Sequence, residues 1–121
     1  MSLLLAGCGR GHDDGAVAAV TERFLRAVQE HDGARACSQL SAQAADALEH
    51  DEGERCAEAA LGLDVRPSAV TRTQVFGLSA KVDLANGHSA FLELTRSGWR
   101  LSAADCVPQP RDEPYRCQVQ A

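Results

Sequence analysis

The chain has 121 residues, five of them cysteine, with a formal charge of −5 and 4% aromatic residues. At this length one domain with a single two-layer core is expected. An acidic chain with one Trp, one Tyr and three Phe has neither the basic stripe nor the stacking platform of a nucleic-acid binder, and no apolar run approaches the roughly 20 residues of a spanning helix.

Residues 3 to 8 read Leu-Leu-Leu-Ala-Gly-Cys, an apolar stub closing on two small residues and a cysteine, and the polar run Gly9 to Gly15 follows. This opening resembles the lipobox of bacterial lipoproteins. The resemblance implies that a peptidase requiring small residues, here Ala6 and Gly7, cuts before Cys8, whose thiol carries a diacylglycerol. A basic n-region is missing and the apolar run is shorter than the roughly 7 to 15 residues of an ordinary signal peptide, so residues 1–8 read as a truncated signal and lipobox segment. Residues 9–15 are then expected as a flexible glycine-rich tether, and residues 16–121 as a single domain. The implied location is the extracytoplasmic face of the cell membrane, with acyl chains of the palmitate kind as anchor and the membrane as partner.

From Ala16 the pattern becomes helical. Val17, Val20, Phe24 and Val28 recur every three or four residues with Leu25 beside them, while Glu22, Arg23, Arg26 and Glu30 take the other face. The helix is expected to end near Asp32-Gly33, with Gly33 as a left-handed cap. Ala-rich helical stretches follow over residues 34–49 and about 54–61, separated by His50-Asp51-Glu52-Gly53.

With Cys8 set aside, Cys37, Cys56, Cys106 and Cys117 form the even set expected in an oxidising compartment. Their gaps of 18, 49 and 10 residues contain no CxxC and match no common zinc spacing, so no metal is expected. Of the three possible connectivities we expect the local pairs, Cys37 with Cys56 and Cys106 with Cys117, because each closes a short loop within one layer. The first pair constrains the helices. In a straight hairpin Cys37 would lie about 18 Å from the turn and Cys56 only about 5 Å, whereas a disulfide needs Cα atoms within about 7 Å. A break at Leu40-Ser41 resolves this, with Ser41 capping a new helix.

Beyond Asp64 the period changes to two. Strands are expected over about 69–76, 78–85 and 88–96 and from Trp99, with Asn86-Gly87 as a hairpin turn and Ser97-Gly98 as another. In the proline-bearing tail, Pro114 to Val119 is expected to add a short edge strand stapled by the Cys106 to Cys117 bridge. Helices first and an antiparallel meander second define an α+β fold, with the helices covering one sheet face.

This layout, with cysteines at 37, 56 and 106 and the motif Gly98-Trp99-Arg100-Leu101, resembles small secreted actinobacterial lipoproteins of the nuclear transport factor 2-like superfamily. The resemblance implies a cystatin-like cone: a curled antiparallel sheet around a long N-terminal helix, hollow at its open end. Relatives include isomerases and dehydratases with an Asp or His base inside the cone. Here Lys81, Asp83 and Glu93 fall in the phase opposite to the core residues and read as a solvated face. His88 shares the phase of Ala90 and Leu92 but sits beside the turn, with no orienting carboxylate in register, so a rim cap is expected rather than a base. His12, His31 and His50 read as tether, helix-end and loop residues.

No Ser-His-Asp order, phosphate-cradling loop or inward carboxylate pair occurs, so no catalytic residue and no cofactor are expected. Charge divides along the chain: residues 13–64 carry 12 acidic against 4 basic groups, and residues 65–121 carry 5 against 7. Arg66, Arg72, Lys81, Arg96 and Arg100 are candidates for a face toward an anionic partner. The functional expectation is a membrane-anchored binding or interaction module. A small isomerase-like enzyme and a structural partner of a membrane complex are the alternatives.

Overall fold

The computed structural model describes residues 8–121. Its first helix, α1 (Cys8–Gln29), buries Val17, Val20, Phe24, Ala27 and Val28 at helical spacing. Thr21 lies on the same face, and its hydroxyl is satisfied by donating to the Val17 carbonyl at 2.9 Å. Residues 9–15, expected as a tether, carry helical backbone instead. Burial of Val17 and Val20 holds this stretch of helix against the rest of the domain, and each residue added upstream gains a hydrogen bond for the dihedrals it fixes.

The end of α1 also departs from expectation. His31, not Gly33, takes the left-handed conformation (φ 58°). His31 N–H bonds to the Val28 carbonyl and Asp32 N–H to the Ala27 carbonyl, the paired closure of a Schellman motif. Asp32 then caps α2 (Gly33–Ser38) by accepting from Arg35 N–H. Gly33 is the first residue of α2 and is buried against Ala57.

The expected break at Leu40-Ser41 is present. Ser41 starts α3 (Ala42–Glu52), its hydroxyl accepting from Ala44 N–H at 3.1 Å. Gln39 and Ser41 use the backbone groups freed by the break to bond both sides of Leu101, at 2.8 Å each. Helix α4 (Cys56–Leu61) has no cap from its own flank; Glu49 of α3 accepts from Cys56 N–H at 2.8 Å. The disulfides are Cys37–Cys56, joining α2 to α4 with Cα atoms 6.1 Å apart, and Cys106–Cys117.

Five strands follow: β1 (Val70–Phe76), β2 (Ser79–Leu84), β3 (Ser89–Thr95), β4 (Gly98–Val107) and β5 (Arg116–Gln120). They form one antiparallel sheet in chain order, so the fold is α+β with a meander. Asn86-Gly87 makes the expected β2–β3 turn: Gly87 has φ 89°, and the Asn86 side chain accepts from His88 N–H. Register shifts near Val70 and between Ser89 and Leu92 curl the sheet. Val17, Phe24, Val82, Leu92 and Leu101 fill the space between α1 and the sheet and are fully buried.

Candidate functional site

In a meander every second turn lies at the same end of the sheet. The β1–β2 turn at Gly77-Leu78 and the β3–β4 turn at Arg96-Ser97 therefore share one end, and Leu94 N–H donates to the Leu78 carbonyl across it at 2.8 Å. Phe76 and Leu78 are 60% and 69% exposed there, and Leu94 is 41% exposed. Arg96 is exposed beside them, while Arg100, in register with Glu93, is half-buried.

The first half of α1 comes to this end as well. Trp99 is almost wholly buried, and a buried indole N–H needs a partner. It donates to Asp13 Oδ1 at 3.4 Å, pinning α1 to the start of β4. A groove of about 500 Å³ runs between the two elements, lined by Asp13, Ala16, Arg23, Leu94, Trp99 and Arg100. A second, of about 440 Å³, lies across Leu94 and Arg100 and includes Ser41, Glu93 and Arg96. The guanidinium of Arg100 is steadied by donating to the Trp99 carbonyl at 2.7 Å, and that of Arg23 donates to Gln39 Oε1 at 3.4 Å.

The opposite end holds a polar network that sequence reasoning missed. His88 Nδ1 lies 2.5 Å from Asp105 Oδ1. The other Asp105 oxygen accepts from Gln118 Nε2, and Gln118 makes two further bonds with the Asp64 backbone, at 3.0 and 2.7 Å. His88 thus has the orienting carboxylate that period-two counting along β4 does not reveal. The strand is irregular there, and Asp105 takes a positive φ of 56°. An Asp is among the few residues that tolerate this conformation, which was the one available signal. A His–Asp pair can hold the imidazole in one tautomer and orient it for proton transfer. Here it also ties the start of β3 to β4, β5 and the link after α4.

That structural role gives a measurable expectation. Asp105→Ala should lower the unfolding free energy by about 1–3 kcal/mol, because His88 and Gln118 lose a largely buried partner. Asp105→Gly should lose less, since glycine adopts the positive φ freely. Urea denaturation of the two variants checks the order, and equal losses would remove the backbone part of this account.

Of the five candidate cations, Arg72, Lys81 and Arg100 share the sheet face opposite the core, since their register partners Asp83, Phe91 and Glu93 lie on it. Lys81 is 3.5 Å from Asp83 Oδ1 and 5.3 Å from the Tyr115 ring centre, and Arg72 is the register partner of Asp83. Tyr115 first, and Asp83 after it, raise the Lys81 pKa above its ordinary 10.5 against the opposing effect of partial burial. Asp83 and the Tyr115 ring take up Lys81, whereas Arg96 and Arg100 stand together at the turn end, with Arg100 the register partner of Glu93. His31 closes α1 and His50 lies in the last turn of α3. Residues Leu3 to Gly7 and the side chains of Cys8 and His12 lie outside the described part.

Among the described residues no three His, Cys, Asp or Glu side chains converge on a metal position, and no helix is long and apolar enough to cross a membrane. Comparisons with protein-family models, curated proteins and solved structures gave no match.

Proposed function

We propose that this chain is an extracytoplasmic lipoprotein, anchored through a diacylglycerol on Cys8, whose α+β domain is a binding module at the membrane surface. The observation that carries the reading is the division of the cysteines. Two disulfides use Cys37, Cys56, Cys106 and Cys117, which suits an oxidising compartment, and the fifth cysteine is the one in the lipobox-like segment. Cys8 lies in α1, the helix that packs on the sheet. An acyl group there would hold the domain against the bilayer with little slack. A radioactive fatty acid fed to the native host should label the wild-type protein and not Cys8→Ala. An unlabelled wild type would overturn the anchor.

The pair His88 and Asp105 favours one second reading, a small isomerase or dehydratase. An enzyme that abstracts a proton next to a carbonyl exchanges that proton with solvent. The protein would then incorporate deuterium from D₂O into small carbonyl compounds, and His88→Gln would not. No incorporation across a panel of such compounds would leave the binding module as the reading of the domain.

A further inference from the structure

We infer that the end of the sheet bearing Phe76, Leu78, Leu94, Arg96 and Arg100 is a membrane-contact surface, and that its occupant is the anionic bilayer leaflet carrying the Cys8 anchor. The inference rests on the anchoring reading above, but its geometry is independent of the acyl group. Three observations converge on this end.

The first is apolar. Phe76 and Leu78 flank the Gly77 turn and are the most exposed of the large hydrophobic residues among those described, with Leu94 hydrogen-bonded beside them. Two large side chains on a hairpin tip gain nothing from the folded domain and lose contact with water when the tip enters the acyl boundary.

The second is charge. Arg96 is exposed on the neighbouring turn and Arg100 lies just inside it, its guanidinium held by the Trp99 carbonyl. Arginines around an apolar tip match lipid phosphates at headgroup depth while the tip reaches past them. Two carboxylates also stand at this end, Asp13, which accepts from Trp99, and Glu93, the register partner of Arg100, so the anionic preference rests chiefly on the exposed Arg96.

The third is the direction of the chain. The hydrogen bond from Trp99 to Asp13 fixes the start of α1 at this same end. Cys8 is five residues upstream on the same helix, about 7–8 Å of helical rise away. An acyl chain at Cys8 and the Phe76-Leu78 tip can therefore enter one leaflet together. A diacylglycerol supplies two acyl chains, so the contact made by the tip would orient the domain on the leaflet rather than supply the anchoring itself.

The test uses the full chain carrying Cys8→Ser, which cannot be acylated, sedimented with phosphatidylcholine vesicles and with vesicles of equal parts phosphatidylcholine and phosphatidylglycerol. Partition onto the anionic vesicles should exceed that onto the neutral ones by about tenfold and should fall as salt is added. Phe76→Ser with Leu78→Ser should reduce partition onto both vesicles by about tenfold. Arg96→Gln with Arg100→Gln should remove the anionic preference and its salt dependence. A Leu78→Trp variant supplies a readout that does not depend on the loss of function: its emission should shift to the blue on vesicle addition and be quenched by spin-labelled acyl chains. Equal sedimentation of all forms, or a Leu78→Trp emission indifferent to anionic vesicles, overturns the surface. Fatty-acid labelling separates the two claims: label without vesicle binding leaves the anchor and removes the surface, whereas vesicle binding without label removes the anchor alone.

Discussion

Oxidised protein carrying Cys37→Ala and Cys56→Ala should unfold with a free energy lower by about 3 kcal/mol than the wild type. The bridge closes a loop over a sequence separation of 19, and the chain-entropy relation for such a loop gives about 3.3 kcal/mol. For Cys106–Cys117, with a separation of 11, the same relation gives about 2.8 kcal/mol. Either is a large share of the 5–15 kcal/mol typical of a whole domain. Denaturant melts should also show a steeper slope for the variant, because an unfolded chain without the cross-link exposes more surface. A loss below about 1 kcal/mol with an unchanged slope would mean that the unfolded chain already holds α2 near α4.

Cysteine arithmetic anticipated this bridge, and from the bridge came the interruption of the second helix. The reason is geometric: a disulfide limits Cα separation, helical rise fixes where residues can be, and together they leave few solutions. Ser41 was legible for the same reason, since it is a good cap at the required place. The strand pattern was legible because alternation of Ala80, Val82 and Leu84, and of Ala90 and Leu92, matches a sheet with one face buried.

Non-local relations were not legible. Glu49 reaches across a turn to cap α4, and Trp99 meets Asp13 over a sequence separation of 86; neither has a sequence signature, because tertiary packing creates both. His31 in the left-handed conformation ran against the expectation for Gly33. Glycine was wanted in that stretch for room against α4, a demand made by a neighbouring helix and invisible in local pattern. The His88–Asp105 pair was hidden likewise, since an irregular strand breaks the alternation by which residues are assigned to a face. The end of the sheet with the β1–β2 and β3–β4 turns was half legible. Arg96 and Arg100 were candidates for an anionic partner, but the meander is what places them beside Phe76 and Leu78 and next to the start of α1.

Gly33→Ala should be the most damaging single-methyl change in the domain. A Cβ at this position would stand 1.8 Å from the Ala57 carbonyl oxygen and 2.8 Å from its carbon, so the obstacle is backbone rather than a side chain able to rotate away. Helix α2 must then lift from α4, and the cost should reach about 3 kcal/mol or more, at or beyond the upper end for overpacking. The sign is diagnostic. Glycine to alanine within a helix ordinarily gains about 1 kcal/mol, and Gly15→Ala, at an exposed position of α1 with nothing near the added carbon, should show that gain. Opposite shifts from the same chemical change separate close approach from helix propensity. The cross-link adds a second criterion, because Cys37–Cys56 holds α2 and α4 together beside the clash. Removing it frees the helices to part, so Gly33→Ala should cost less in the Cys37→Ala, Cys56→Ala background than in the oxidised wild type. A double-mutant cycle should return a coupling of about 0.5–3 kcal/mol. Strict additivity would place the strain of Gly33→Ala somewhere other than the contact between α2 and α4.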